Sequence, residues 1–195
     1  IKEYLMYEGF SYKFVPVKNR MKSTEIGFAD AEDLYYKMKN VYSWDALKRT
    51  DYFVDYQNFY TFCGVLSQRN IFLNAAKEMM KIGEDEKAVE MLDMCQECVP
   101  EANYPLDIHC LGFSNEYMAL EMVRLYFALG ESEKAFAISQ KLMDSFCDSW
   151  KFFSRYEVAE DDADQLVAYI GWLIETLQDE IGRMDIDKDK EIIVG

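Results

Sequence analysis

Five cysteines and a single histidine are the side chains of this 195-residue chain best suited to metal or redox chemistry, and four of the six fall close together. They are Cys95-x-x-Cys98 and the adjacent pair His109–Cys110. Thiolates and an imidazole are the right donors for tetrahedral zinc. The spacing matches no common zinc module, however, and adjacent residues are poorly placed to ligate one ion together. Cys95 also falls at a small, close-packed position of a helical repeat described below, so these thiols read as core or loop residues. A redox role is disfavoured because the pair lies late in an expected helix, where the dipole opposes a thiolate. One histidine excludes two-histidine metal sites and zincin motifs, and no glycine-rich phosphate loop or G-x-S-x-G elbow occurs. Asp185, Asp187 and Asp189 imitate the start of a calcium loop, but the sixth position is Lys190 and the twelfth lies past Gly195. They read as a solvated acidic tail, and Glu160, Asp161, Asp162 and Asp164 as charge at a helix start. No catalytic residue, metal or cofactor is expected of this chain.

The elements that carry these residues announce themselves by near-repetition. GEDEKAVEML from Gly83 and GESEKAFAIS from Gly130 each follow a helical run and place alanine five residues after the glycine. That is the middle of a tetratricopeptide-type helical hairpin, which stacks on copies of itself. With Gly83 at the turn, one repeat spans about residues 69–102. Phe72 is then its bulky first-helix position, Ala76, Ala88 and Cys95 its small ones, Leu92 its large second-helix position and Pro100 its end. The second copy, about 116–149, matches through Ala119, Val123, Tyr126, Ala135 and Leu142, with Cys147 in place of proline. The glycines are 47 apart, so about thirteen extra residues (Glu101–Phe113) form a longer connection than a 34-residue repeat needs. A third pair of capping helices is expected over 150–183, the second carrying Leu166, Ile170, Leu173, Leu177 and Ile181 on one side.

Upstream, Phe10, Tyr12 and Phe14 alternate with polar residues, the period of an extended segment, which Pro16 confines to an edge or an end. Residues 1–29 are thus an extended lead-in and polar loop. A helix capped by Asp30 follows, carrying Leu34, Tyr35, Met38 and Val41. Residues 43–56 look irregular and aromatic, and helical spacing returns at Asn58. The expected fold is all-α: stacked antiparallel hairpins in a right-handed superhelix over 30–195, with a short extended lead-in.

Stacking would turn the first helices toward a concave face. Asn70, Leu73, Lys77, Met80 and Lys81 face it in one repeat, and Tyr117, Leu120, Arg124 and Phe127 in the next. Lys77 and Arg124 hold equivalent positions, so an acidic peptide or carboxylate is the natural complement. The plainer alternative is solvated cations pairing with Glu78 or Glu121. Elsewhere acid dominates: 36 Asp and Glu against 21 Lys and Arg give a net charge of -15. Such a surface repels phosphate backbones and anionic membranes, so no nucleic-acid partner is expected. The longest apolar run, around Val167–Ile174, is far short of the ~20 residues that span a bilayer, so no membrane insertion by this chain is expected. The odd cysteine count leaves at least one thiol without an internal partner. The chain opens on Ile1 without a methionine, which suggests a piece of a longer product.

Three stretches carry a resemblance: YLMYEGFSYKFVPVK, LYYKMKNVYSW and RNIFLNAAKEMMKIGEDEKAVEMLDMCQECVPEANYP. They resemble the C-terminal soluble part of a bacterial membrane-protein family of unassigned function that is similar to protein O-mannosyltransferases. The motifs are an EG-x-x-Y-x-x-x-P segment (Glu8, Gly9, Tyr12, Pro16) and a degenerate tetratricopeptide repeat. The resemblance implies a multi-pass glycosyltransferase module upstream, which would hold the catalytic carboxylate. This chain would be its non-catalytic extracytoplasmic (periplasmic) tail, binding a protein, a peptide or the membrane-embedded part of the same protein. The rival expectation is a free-standing cytoplasmic tetratricopeptide adaptor.

Overall fold

The computed structural model describes residues 2–18, 28–51, 65–106, 109–110, 113–155 and 160–194. Among the described residues there are seven α-helices, numbered here α1 (Ala31–Asn40), α2 (Asp45–Lys48), α3 (Val65–Lys81), α4 (Asp85–Cys98), α5 (Asn115–Ala128), α6 (Ser132–Phe153) and α7 (Glu160–Val194). The chain divides into two compact units, Ile1–Pro105 with Cys110–Phe113, and Leu106–His109 with Ser114–Gly195.

The first unit is built around the hairpin of α3 and α4. Gly83 adopts φ +79°, a left-handed conformation that costs other residues energy and glycine almost none. It closes α3 by a Schellman turn, in which Gly83 N–H donates to the Met80 carbonyl at 3.1 Å and Glu84 N–H to the Met79 carbonyl at 3.0 Å. The chain is thereby reversed, and α4 packs back along α3. Phe72, Ala76, Ala88, Leu92 and Cys95, the repeat positions expected to pack, are all fully buried. Small side chains at Ala76 and Ala88 let the helices approach without a Cβ branch between them.

Helix α1 lies on α3. Its N-cap is Asp30, whose carboxylate accepts from Asp33 N–H at 3.1 Å, and it buries Leu34 and Met38. Val41, expected to share that stripe, is the exposed C-cap, because the helix ends one residue before it. Trp44 fills the space beyond, donating Nε1–H to the Met38 carbonyl at 2.8 Å and packing 4.6 Å from the Phe72 ring.

The lead-in contains true strands. Strand β1 (Leu5–Tyr7) pairs antiparallel with β2 (Tyr12–Phe14), Leu5 opposite Phe14, and parallel with β3 (Phe28–Ala29). β2 is an edge strand ending just before Pro16, whose missing N–H would leave a gap in any longer ladder. The residues of the EG-x-x-Y-x-x-x-P segment are thus fold-forming. Glu8 accepts from Lys37 Nζ at 2.9 Å and, through its carbonyl, from the Tyr42 hydroxyl. Gly9, at φ +91°, comes so near Ile71 that a Cβ would meet its Cγ2 at 3.3 Å. Tyr12 packs on Tyr7.

The second unit contains a hairpin of its own, α5 packed on α6. Gly130 adopts φ +78°, and the same two bonds recur: Gly130 N–H to the Phe127 carbonyl at 3.0 Å and Glu131 N–H to the Tyr126 carbonyl at 2.9 Å. Ala119, Val123, Tyr126, Ala135 and Leu142 are fully buried. Two expectations are corrected here. Helix α6 runs through Asp148 to Phe153, since no glycine or proline interrupts Ser132–Phe153. In place of a capping pair over 150–183 the described residues then show one 35-residue helix, α7, against α5 and α6. Its backbone stays helical through Asp185, Asp187 and Asp189, the stretch read from sequence as a solvated acidic tail. The polar loop expected over 19–29 and the helix start at Asn58 lie largely outside the described residues.

The matched turns predict matched mutational behaviour. Ala88→Phe and Ala135→Phe should each lower unfolding free energy by about 1–3 kcal/mol or more through overpacking. Glu84→Phe and Glu133→Phe, at exposed positions, should be nearly silent in the same urea titration. Equal losses in the two pairs would contradict the register.

Candidate functional site

Helix α3 carries the first set of expected partner-binding residues. Asn70, Lys77 and Met80 are half-buried, and Lys81 is exposed and paired with Glu78 at 2.5 Å. Leu73 is only 1% exposed, so the apolar contact expected of it belongs to packing. The second set, on α5, meets a neighbour within its own unit. Tyr117 stands edge-on to Trp172 of α7 with ring centres 6.5 Å apart, and Arg124 Nε donates to Thr176 Oγ1 at 3.3 Å. Leu120 and Phe127 are buried, Phe127 edge-on against Phe136 at 5.1 Å.

Arg124 therefore looks onto α7. It shares a polar pocket of about 330 Å³ with Arg183 and three carboxylates, Glu175, Asp179 and Glu180. Three carboxylates and two cations share this pocket, so the charge of Arg124 is balanced from within the chain. The Arg124 face expected to be open to a partner is therefore shared with α7. The physical cause is α7, whose Leu166, Tyr169 and Leu173 require burial and obtain it within this unit.

A different surface on the same helices remains apolar and open. Met143, Phe146, Cys147 and Trp150 recur along α6 at i, i+3, i+4 and i+7, one face of a helix. Val167 and Ile170 face them from α7, and the six line a groove of about 470 Å³ together with one charged residue among those described, Lys151. Phe146 forms its buried floor, while Trp150 and Val167 are each 52% exposed. Ile174, exposed, and Ile181, exposed, lie further along the same side of α7. The stripe expected on this helix is thus two adjacent stripes. Leu166 and Leu173 pack inside the unit, Ile170 and Leu177 are half-buried, and Ile181 is outside.

The thiols separate by environment. Cys95 and Cys98 are buried, and burial pushes them up to about 12 and about 11. They are neutral thiols near neutral pH, unsuited to nucleophilic or metal-binding roles without first losing a proton. Cys147 is free and exposed. His109 and Cys110 form a two-residue strand. Among the described residues, no three His, Cys, Asp or Glu side chains gather as a metal site would require.

Arg69, at a repeat boundary in the sequence, is the largest fully buried side chain among the described residues. Its guanidinium donates to the Tyr104 carbonyl and, at 3.3 Å, to the Pro105 carbonyl, holding the segment after α4 against α3. A charged residue in a helical stripe gives no warning of that role. The groove was better signalled, by Met143, Phe146, Cys147 and Trp150 at helical spacing.

The chain matches no protein-family model, no curated protein and no solved structure.

Alkylation at pH 8, read peptide by peptide, should modify Cys147 rapidly and leave Cys95 and Cys98 protected until the protein unfolds. Comparable rates at the three would contradict their placement. Linkage gives a second expectation. Between the ordinary thiol value of 9.0 and about 12 the unfolded Cys95 loses its proton while the folded one keeps it. This contribution to stability is therefore intact below pH 9 and falls as pH rises through that window. A Cys95→Ala variant should show a shallower alkaline decline in urea midpoint than wild type.

Proposed function

We propose that this chain is a non-catalytic protein-interaction module built from tetratricopeptide-like hairpins, carried as the extracytoplasmic tail of a multi-pass membrane glycosyltransferase. The observation that carries the first half is the recurrence, 47 residues apart, of one turn and one set of packed positions: Gly83 with Ala76 and Ala88, Gly130 with Val123 and Ala135. Hairpins of this kind stack into arrays that present extended surfaces to partner chains. The open apolar groove on α6 and α7 supports the same reading, because exposed contiguous apolar surface marks interaction sites. The second half rests on the EG-x-x-Y-x-x-x-P segment and its resemblance to the tails of mannosyltransferase-like membrane proteins. No helix among the described residues is long and apolar enough to cross a membrane, so the membrane segment of such a protein would be encoded elsewhere.

Two measurements test this. The purified chain should transfer no sugar from a lipid-linked donor to an acceptor peptide; transfer would contradict the non-catalytic assignment. The gene upstream of Ile1 should encode several membrane spans, and a start codon immediately before Ile1 would favour the cytoplasmic adaptor.

A further inference from the structure

We propose that the free edge of β2 takes one extended segment of a partner protein as an added strand, with an acidic residue at its centre and an apolar residue on either side; this rests on reading the chain as an interaction module. The hydrogen bonds of the hairpin decide which groups are offered. Glu8 N–H donates to the Ser11 carbonyl at 2.9 Å and Val15 N–H to the Tyr4 carbonyl at 2.8 Å. Bonded residues alternate in an antiparallel pair, so Ser11, Lys13 and Val15 turn their main chain toward β1. Tyr12 and Phe14 therefore direct N–H and C=O outward, and among the described residues no strand lies beyond them. Two residues two positions apart, each offering a donor and an acceptor, form a template on which an extended chain can pair. All three residues of β2 are exposed.

The side chains of β2 itself choose the occupant. Tyr12 and Phe14, 49% and 64% exposed, stand on one face of the strand and Lys13 on the other. A strand laid along this edge sets one residue opposite each of the three. Opposite Tyr12 and Phe14, apolar side chains would cover ring surface that now faces water. Opposite Lys13 an acid is favoured. Lys13 is exposed and pairs with no acid among the described residues, whereas Lys18 is already held by Glu3 at 2.7 Å. A second copy of this chain is a poor occupant. The antiparallel register that uses both Tyr12 and Phe14 puts Lys13 opposite Lys13, and like charges directly opposite destabilise a pair. Shifted registers either meet Pro16, which has no N–H to give, or pass the start of the strand at Tyr12.

The test uses the full chain, isotope-labelled for NMR, and capped peptides of about nine residues, a common strand length. All share a Thr-Val-X-Val-Thr centre in which X is glutamate, glutamine or lysine. The glutamate peptide should bind wild type tightest, about 2–5-fold better than the glutamine one, and should shift and protect the Tyr12 and Phe14 amides. N-methylating its two valines, whose N–H groups meet the edge, should weaken it about fivefold or more. Lys13→Glu should reverse the order and make the lysine peptide the tightest. The net charge of -15 acts the other way in wild type, favouring the lysine peptide anywhere on the surface. A glutamate preference that Lys13→Glu reverses therefore reports the local contact. Lys13→Gln, which should erase the preference, serves if Lys13→Glu loses helical content by circular dichroism. The inference is overturned if no peptide shifts Tyr12 or Phe14, if the N-methylated peptide binds equally, or if wild type prefers the lysine peptide. It is equally overturned if wild type dimerises in sedimentation while Phe14→Asp stays monomeric, or if phosphatidylglycerol vesicles take up wild type and not that variant. Those failures leave the interaction-module reading intact, since that reading falls on sugar transfer, not on this edge.

Discussion

Everything in both units depends on reversing a helix within three residues, and a left-handed backbone step makes that possible. At Gly83 and Gly130 the positive φ lets the glycine N–H and the N–H after it both bond to carbonyls that the helix end would otherwise leave unsatisfied. Once the turn is fixed, so is the register of the returning helix. The residue five positions on must face the first helix, and Ala88 and Ala135 occupy it. Their small size sets a close crossing, and the larger side chains around them, Phe72, Met79 and Leu92 or Val123, Tyr126 and Leu142, fill the remaining space. A backbone requirement at one residue is converted into packing over two helices.

Around this shared device the units are finished differently. The first closes with polar and aromatic ties from distant sequence. Arg69 caps carbonyls beyond α4, while Lys37 joins Glu8 of the lead-in to Asp33 of α1, at 2.9 and 2.6 Å. Lys39 pairs with Glu90 across α1 and α4 at 2.5 Å, and Tyr35 donates to the same carboxylate. Most of these ion pairs are partly solvated, so each adds little to stability, but together they fix where α1 and the lead-in sit. The second unit closes with a helix, α7, that buries Leu166, Tyr169 and Leu173 and leaves Val167, Ile170 and Ile174 beside the groove.

How much was legible in the sequence follows from how local each cause is. The glycine turns, the alanines behind them and the Asp30 cap act within five residues, and all were readable. Strand β3 is two residues long and exists only by pairing with β1, so no periodicity could reveal it. The burial of Arg69 depends on carbonyls 35 and 36 residues away. The continuation of α7 past Asp185 contradicts its polar composition, and nothing local marks it. Leu73 and Phe127 were assigned to an open face because helical phase gives direction without saying what stands there. The same limit applied to Arg124: its phase was read from the repeat, whereas the carboxylates that surround it come from α7.

Gly83 and Gly130 are needed for the sign of a backbone angle and not for space, since an added Cβ would meet no atom within 4 Å at either. Gly171 has equally open surroundings but lies inside α7 with ordinary helical geometry. Urea unfolding of the three glycine-to-alanine variants therefore separates conformation from packing. Gly83→Ala and Gly130→Ala should each lose about 1 kcal/mol, and Gly171→Ala should gain about 0.5–1 kcal/mol. Losses of equal size at all three, or none at the two turns, would contradict the account.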